Sequence, residues 1–474
     1  AQVFSGASGD LLLSWTGAVD SRFGWSVGGC GDVDGDGVAD VVVGAPSMFF
    51  LLAPPGVTVF SGATGAVLRN WVDPPGTGFG EAAAGVGDID GDGTPDVAAG
   101  APMVGMAAGG EARVYSGSTG ALLRLIPGNG GAFGSALARA GDVDDDGVPD
   151  LVVGAPQSWA GGIGAGQARV YSGANGAILR SWNGTGVQAA FGSSVAGGGD
   201  VDGDGRPDLA VGAPGSGSVG SPGQASVFSG ATGGAIFVRS GISIGEGLGI
   251  SVAIDGDANG DGWADLAVGV PGAYGPGGTS GVVRIFAGPA GNLVDTLQAG
   301  PAEIHFGMSV AFAGRVDVGA CDDLVIGAPS NGMSGNGMAS IRSSGVGGPF
   351  GFTDLGNSLA GSGGLAPRLR GLGLLQVGTT VTLAVRQALG GTIGVLAVGA
   401  SIANVPAFQG ILVPYPDLVV TGLMVNGAGE ASISTLIPPP PLPPGTTIYL
   451  QALFLDAGAP QSVSFSNALS VTAP

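Results

Sequence analysis

Aspartates recur at alternate positions in five nine-residue segments, a spacing typical of a cation site. The segments begin at Asp32, Asp88, Asp142, Asp200 and Asp257. Calcium takes six to eight oxygen ligands, so a short loop must direct carboxylates from positions 1, 3 and 5 inward and add the backbone carbonyl of position 7. A further aspartate stands at position 9 of each segment. The sequence therefore predicts about five calcium ions, one in each loop.

The predicted ligands are side-chain oxygens at positions 1, 3, 5 and 9 and the backbone carbonyl of position 7. They are Asp32, Asp34, Asp36, Val38 and Asp40; Asp88, Asp90, Asp92, Thr94 and Asp96; Asp142, Asp144, Asp146, Val148 and Asp150; Asp200, Asp202, Asp204, Arg206 and Asp208; and Asp257, Asn259, Asp261, Trp263 and Asp265. Position 6 is always glycine, because the chain turns sharply there. An EF-hand would need glutamate at position 12, where every loop has valine or alanine, so that type of loop is excluded.

Each loop lies inside a longer repeat that usually begins Phe-Gly and ends Gly-Ala-Pro. The repeats start at Phe23, Phe79, Phe133, Phe191, Leu248 and Phe306, 54 to 58 residues apart. A fixed period of this size is typical of a propeller or a solenoid. Within a repeat, apolar runs and turn residues predict four short strands, which make one propeller blade.

The co-occurrence of Phe-Gly, the aspartate loop and Gly-Ala-Pro resembles the FG-GAP repeats of the integrin alpha-subunit propeller and of many secreted bacterial proteins. The resemblance covers residues 1 to about 355. It implies a calcium-loaded β-propeller with its metal loops on one face and a ligand-binding surface on the opposite face. The metal-binding role carries onto the first five loops. It does not carry onto the sixth, with Arg315, Asp317, Gly319 and Asp323 at positions 1, 3, 5 and 9, so no calcium is predicted there.

The predicted fold is all-β: a propeller over residues 1–355, followed by a β-sandwich-like domain over residues 356–474. Six blades are favoured, and the seven of integrins are the alternative. The hairpin of residues 3–15 would complete the sixth blade, unless residues 338–356 take that place and leave it to pair elsewhere. Cys30 and Cys321 are then either a disulfide between first and last blades or two buried thiols.

Composition excludes several classes of protein. The 474 residues carry a formal charge of −21, and no basic stripe is present to neutralise phosphates, so nucleic acid and anionic membranes are not expected partners. Mean hydropathy is +0.43, yet no uninterrupted apolar run of about 20 residues exists, so no membrane insertion is expected. The chain opens Ala-Gln, as a secreted protein would after signal-peptide removal, which predicts an extracellular or cell-surface location.

Catalysis finds little support in the sequence. His305 is the one histidine, so no Ser-His-Asp arrangement can be built convincingly. A polysaccharide-active enzyme using Glu81, Glu111 or Glu246 is the weakest alternative. The sequence predicts a non-enzymatic, calcium-stabilised structural protein that self-assembles into a filament or surface layer, or an adhesin. A monomeric module that binds an extracellular protein or glycan is the alternative, through variable loops that include the apolar residues 48–52.

Overall fold

The structure is a computed structural model, and it describes residues 1–6, 8–47, 54–105, 109–215, 221–275, 278–279, 281–299, 303–316, 321–329 and 337–342, with strands only between residues 352 and 472. These residues form 37 strands and no helix. No helix able to span a membrane occurs among them. The chain divides into two compact units. The first comprises Ala1–Gly256, Trp263–Asp317 and Asp323–Arg342; the second comprises Asp257–Gly262, Val318–Asp322 and Ser343–Pro474.

The first unit is a six-blade β-propeller, which confirms the predicted all-β propeller fold. Its first three blades are antiparallel sheets of four consecutive strands. Their bounds are β3 (Ser26–Gly29), β4 (Val41–Ala45), β5 (Gly56–Phe60) and β6 (Val67–Val72); β7 (Ala83–Gly87), β8 (Asp96–Ala101), β9 (Glu111–Tyr115) and β10 (Leu122–Pro127); and β11 (Ala136–Gly141), β12 (Asp150–Ala155), β13 (Gln167–Tyr171) and β14 (Ile178–Asn183).

The next two blades repeat this order, and three strands of the sixth are described. The bounds are β15 (Ser194–Gly197), β16 (Leu209–Ala213), β17 (Gln224–Phe228) and β18 (Ala235–Ser240); β19 (Val252–Gly256), β20 (Asp265–Val270), β23 (Val282–Ala287) and β24 (Asn292–Gln298); and β25 (Ser309–Gly314), β26 (Asp323–Ala328) and β27 (Met338–Arg342). A small hairpin, β21 (Tyr274–Gly275) and β22 (Gly278–Thr279), lies between β20 and β23.

The Phe-Gly and Gly-Ala-Pro motifs join successive blades through their backbones. Gly134 donates its N–H to Gly154 O at 2.9 Å in the same blade. Gly134 has φ of +90°, which favours glycine. A Cβ on Gly100, in the preceding blade, would lie 1.9 Å from Gly134 O, so only glycine permits this approach. The paired glycines of the repeat therefore set the spacing between blades.

The core lies between blades, where small residues allow the second strands to be buried on both faces. β8, β12 and β20 are buried at every position. One cluster joins Val86 and Ala98 of the second blade to Phe133, Val153 and Tyr171 of the third. Such close packing explains the apolar Ala and Val runs of the second strands.

The amino-terminal hairpin consists of β1 (Gln2–Phe4) and β2 (Leu11–Ser14), which form a two-stranded sheet. Of the two alternatives for completing the sixth blade, residues 338–356 supply its third strand, because β27 pairs with β26, while residues 352–356 belong to a sheet of the second unit. β27 follows β26 closely along the chain, so this pairing is the more local one. No disulfide joins Cys30 and Cys321, and both thiols are buried.

The second unit contains two larger sheets and a hairpin. The bounds of its strands are β28 (Phe352–Gly356), β29 (Arg368–Leu372), β30 (Thr380–Arg386), β31 (Ile393–Gly399), β32 (Ile402–Ala407), β33 (Gly410–Pro414), β34 (Leu418–Met424), β35 (Ala431–Leu436), β36 (Thr447–Leu455) and β37 (Val463–Thr472). The sheet orders are β28-β37-β36-β31-β34, β29-β30-β35 and β32-β33. The sandwich and the domain boundary at residue 355 stay predictions.

Candidate metal centre

The aspartate loops connect the first and second strands of their blades. In the third blade, Asp142 accepts the N–H of Asp146 at 3.0 Å and that of Gly147 at 2.8 Å. Asp146 in turn accepts the N–H of Val148 at 2.9 Å. The position-1 aspartate accepts the N–H of the position-6 glycine in all five loops. The loops are therefore held in one shared conformation by their own carboxylates.

Carboxylate oxygens converge in four of these loops. In each cluster, three aspartates offer one oxygen apiece within 4.8 Å of one another. The clusters are Asp32, Asp34 and Asp36; Asp88, Asp90 and Asp96; Asp142, Asp144 and Asp146; and Asp200, Asp202 and Asp208. Because every donor is an oxygen, the set fits a hard divalent cation.

Electrostatics in the third loop also fit a cation. Desolvation raises the pKa of Asp144, and the nearby charges of Asp146 and Asp142 raise it further. In the second loop the hydroxyl of Ser118 donates to Asp92 and lowers the pKa of that carboxyl, with help from the N–H of Thr94. A divalent cation would relieve the mutual repulsion of the carboxylates.

The position-9 aspartates accept backbone hydrogen bonds that the sequence did not predict. Asp150 is fully buried and accepts the N–H of Val143 at 2.8 Å and that of Gly173 at 2.9 Å. Gly173 lies in the turn between β13 and β14, so one carboxylate ties the loop to another part of its blade. Asp40, Asp96 and Asp208 make the same two kinds of bond. We call this arrangement the carboxylate clamp.

One of the two bonds of the clamp is present in the sixth repeat, where a cation site is not predicted. Asp323 is 1% exposed and accepts the N–H of Val316 at 2.8 Å. Asp317 and Gly319, at positions 3 and 5, lie outside the described residues. Position 9 is thus an aspartate even where position 1 is an arginine, as expected if its hydrogen bonding does not depend on a bound cation.

Burial disfavours the ionised form of the clamp aspartates. Desolvation raises the pKa of Asp150 to about 6 and that of Asp208 to about 7, although the backbone N–H bonds act in the opposite direction. The signal available in the sequence was the aspartate at position 9 in all six repeats, including the sixth, where no metal is predicted.

The fifth loop keeps the shared backbone conformation with one amide in place of a carboxylate. Asp257 accepts the N–H of Asp261 at 3.0 Å and that of Gly262 at 2.8 Å. The side-chain amide of Asn259 donates to Asp261 at 2.9 Å. Asn259 Oδ1 accepts the N–H of Asp261 at 2.7 Å, so an oxygen ligand is present at position 3. Binding by this loop stays a prediction.

Arg206, at position 7 of the fourth loop, contacts the third loop, which the sequence did not predict. The guanidinium of Arg206 donates to the carbonyl of Val143 and to the carboxylate of Asp145, both at 3.1 Å. It thereby bridges the fourth loop to the third. The predicted carbonyl ligands at position 7 stay predictions.

Acidic residues outside the loops are engaged with arginines. Glu111 pairs with Arg113, and buried Glu246 pairs with Arg284 at 3.0 Å. Desolvation raises the pKa of Glu81, and the charge of Arg22 opposes this. Glu111 begins β9 of the second blade and Glu246 precedes the fifth blade, so they belong to different interblade contacts.

Comparison with known proteins identifies the repeat. The FG-GAP repeat family matches residues 23–67, 79–121, 133–174, 191–228 and 248–286. The chain is similar to integrin alpha pat-2 of Caenorhabditis briggsae (33% identity over 219 residues, covering 40% of this chain and 18% of that protein). It is also similar to integrin alpha-V of Gallus gallus (33% over 214 residues; 41% and 20%) and integrin alpha-IIb of Homo sapiens (34% over 222 residues; 42% and 21%).

The matched part spans about a fifth of the length of these integrins. Each of the five matches lies within one of the first five blades and includes one aspartate loop. The first five blades of this chain therefore each carry an FG-GAP repeat, and together with the sixth blade they form the β-propeller.

Proposed function

We propose that this protein is a secreted, non-enzymatic propeller, stabilised by calcium, that binds another extracellular protein or a glycan. The observation that carries the calcium proposal is the repeated cluster of three converging carboxylates in four successive blades. All five loops supply an oxygen at positions 1, 3 and 5, and calcium prefers such ligands. The kinship with integrin alpha subunits supports an extracellular binding role.

The binding surface we propose is the end of the propeller opposite the metal loops. Strands alternate in direction within a blade, so the connections from second to third strand and from fourth strand to the next blade share this end. Trp159, in the β12–β13 connection, is 73% exposed, and Ile242 and Ile244, between β18 and β19, are 79% and 72% exposed. Apolar side chains exposed together on one end are typical of a partner site.

Two neighbouring connections on this end are joined directly. Ile163 is exposed, and its carbonyl accepts the N–H of Gln188 at 2.8 Å. Val187, next to Gln188, is also exposed. The surface therefore extends from the third blade toward the fourth. The apolar residues 48–52 and Met106 of other connections lie outside the described residues.

The test is binding of the purified protein to immobilised extracellular-matrix proteins and to a glycan array, in calcium and in chelator. We expect the double change Trp159→Ser and Ile163→Ser to abolish binding. The double change Val67→Ser and Leu122→Ser removes similarly exposed apolar groups from outer strands and is the matched control. Equal loss in both double variants, or activity in a polysaccharide-hydrolysis screen, would contradict the proposal.

A second candidate function, self-assembly, is favoured by the hairpin β1–β2. The Trp15 ring packs against Phe60 in a tilted arrangement, with ring centroids 4.5 Å apart, and its indole N–H donates to Gly65 O at 2.9 Å. Trp71, in the outer strand of the first blade, stacks on Tyr115 of the next blade at 4.7 Å and donates to Gly120 O in the same way. The hairpin thus docks on the first blade as the outer half of a preceding blade would.

The inner edge of this half-blade is formed by β1. Among the described residues β1 pairs with β2 alone, whereas the third strand of each blade pairs with the second. Phe4 is 53% exposed, although Phe60 at the matching position is 6% exposed. A strand from a second copy would bury Phe4 by edge addition.

Electron microscopy and sedimentation in calcium test this candidate. We expect filaments or ordered oligomers, and we expect Phe4→Ser to shift the protein toward monomer. Trp25→Ser, at another exposed aromatic residue, is the control. A monodisperse monomer at high concentration would contradict self-assembly and leave the adhesion proposal intact.

A further inference from the structure

The guanidinium of Arg169, in β13, is partly buried. Its Nε is buried and has no hydrogen-bond partner among the described residues. No ion pair of the described residues includes Arg169 either. A partly buried cation that lacks a counter-charge is costly, because desolvation is not compensated.

Arginines at the same register in two other blades are neutralised. Arg113 lies opposite Ala99 in the second blade, as Arg169 lies opposite Val153 and Arg284 opposite Val268. Arg113 donates to both carboxylate oxygens of an aspartate at 2.8 and 3.2 Å and also pairs with a glutamate. Arg284 donates to both oxygens of a glutamate at 3.0 and 3.3 Å. This register position therefore suits a guanidinium held by a carboxylate.

The third blade lacks both carboxylates that hold Arg113. Asp73 follows the last strand of the first blade and donates its N–H to the carbonyl of the residue before β5. Gly128 follows the last strand of the second blade and donates its N–H to the carbonyl of the residue before β9. Gly128 therefore occupies the position in the second blade that Asp73 occupies in the first. Glu111 begins β9 and Gln167 begins β13 at the same register, so an amide replaces the glutamate. Gln167 Nε2 donates to Asn183 at 2.6 Å instead.

A cavity of about 500 Å³ lies beside Arg169, between β10 and the outer strands of the third blade. Ile126 lines the cavity. The equivalent strand position is Trp71 at the preceding blade junction and Trp182 at the following one. Those indoles stack on the aromatic residue of the next blade at 4.7 and 4.6 Å. At this junction the aromatic residue is Tyr171, and it lines the cavity together with Ile126 and Arg169.

We propose that this cleft binds a carboxylate carried on an aromatic or branched apolar group. The carboxylate accepts two hydrogen bonds from Arg169, in the place that Asp73 takes beside Arg113. The apolar group packs against the apolar lining of the cleft, in which Leu125 and Ile178 are 52% and 54% exposed, above the buried Ile126 and Tyr171. Paired N–H···O bonds of this kind are strong and geometrically specific. Asn129 and Asn175 also line the cleft and offer amide groups to a ligand's polar atoms. None of the predicted metal ligands lines the cleft, and Asn129 lies in the β10–β11 connection, at the end of the propeller proposed above as a partner surface.

The test is calorimetric titration of the full chain with phenylacetate and with phenylacetamide, which lacks the charge. For a ligand of this size we expect millimolar binding of the acid and at least tenfold weaker binding of the amide. Arg169→Gln should weaken phenylacetate binding at least tenfold. Arg22→Gln removes an exposed arginine elsewhere and should leave it unchanged.

A second variant restores the counter-charge that the blade lacks. Gln167→Glu is nearly isosteric and places a carboxylate where Glu111 stands beside Arg113. We expect it to weaken phenylacetate binding at least fivefold and to raise the midpoint of thermal unfolding. A higher unfolding midpoint would show that the weaker binding does not come from a folding defect.

A tripeptide, acetyl-Gly-Gly-Phe with a free carboxylate, distinguishes the sources of the ligand. Binding at least tenfold tighter than phenylacetate supports the carboxy terminus of a peptide; equal binding supports a free small carboxylate. Absence of binding of both acids at millimolar concentration, equal binding of acid and amide, or unchanged binding by Arg169→Gln would overturn the proposal.

Discussion

Replacing Asp150 by alanine separates the carboxylate clamp from the metal site. The change removes the acceptor of two backbone N–H groups, those of Val143 and Gly173, at a position that is fully buried. Each buried N–H left without a partner costs about 1 to 3 kcal/mol, so the gross loss is about 2 to 6 kcal/mol. Burial raises the pKa of Asp150 to about 6, so relief of its desolvation offsets part of this loss. We expect a net loss of about 2 to 3 kcal/mol.

The informative measurement is calorimetric unfolding at pH 7.5 in chelator and again in excess calcium. Asp150→Ala should lower the midpoint by roughly 5 °C or more in chelator, since the clamp does not depend on the ion. Asp146→Ala removes a predicted ligand and a hydrogen bond at the protein surface, so it should cost little in chelator. In calcium at 100 times the dissociation constant, loss of one site should cost this variant about 2.7 kcal/mol more.

Asp145→Gly is the matched control from the same loop. Asp145 has φ of 66°, most of its side chain is exposed, and its ion pair with Arg206 is at the surface. Exposed pairs contribute about 0 to 1 kcal/mol, so little change is expected with or without calcium. Equal losses for Asp150→Ala and Asp146→Ala in chelator would refute the assignment of two roles.

Chelation of the unmodified protein should lower the unfolding midpoint of the propeller by about 10 °C or more, because several loops lose an ion together; an unchanged midpoint in calorimetry would contradict calcium binding. In chelator, stability should rise as pH falls from about 7 toward 4. The pKa values of Asp150 and Asp208 are raised to about 6 and 7, so the folded protein binds more protons than the unfolded chain in this window, and urea titrations at several pH values would show the slope. Glu246→Gln should cost about 3 to 5 kcal/mol in urea unfolding, because Arg284 is left buried without a counter-charge; adding Arg284→Gln should recover part of the loss, and no recovery would contradict this reason.

The repeat was readable from the sequence because its constraints are local. Phe-Gly, the aspartate loop and Gly-Ala-Pro each need particular residues at short range. Gly134, for example, has φ of +90° and closely approaches a neighbouring backbone, and Asp142 accepts N–H groups within five residues of itself. Periodicity then predicted the blades, and the propeller was confirmed. Because these short-range constraints repeat at a fixed period, the blades could be predicted without knowledge of contacts between residues distant in sequence.

Two outcomes depended on contacts distant in sequence. The sequence allowed the hairpin β1–β2 or the segment after β26 to complete the sixth blade, and pairing of β27 decided it. The clamp could not be predicted from the sequence, because Asp150 accepts the N–H of Gly173, 23 residues away. Gly173 lies in a turn whose position is defined only in the folded blade. A position-9 carboxylate gives the same sequence signal whether it holds a cation or two N–H groups.

The sequence by itself determined the loop chemistry and the four-strand period, since glycine dihedrals and carboxylate spacing act over a few residues. Tertiary structure decided which charges meet. Arg113 and Arg169 stand in nearly identical strands, Glu-Ala-Arg-Val-Tyr and Gln-Ala-Arg-Val-Tyr, yet one is neutralised across a blade junction and the other faces a cavity. Part of that difference is local, since Gln167 replaces Glu111. The other part arises from the preceding blade, where Asp73 in one case and Gly128 in the other lies at the junction, and contact between blades is a property of the assembled propeller.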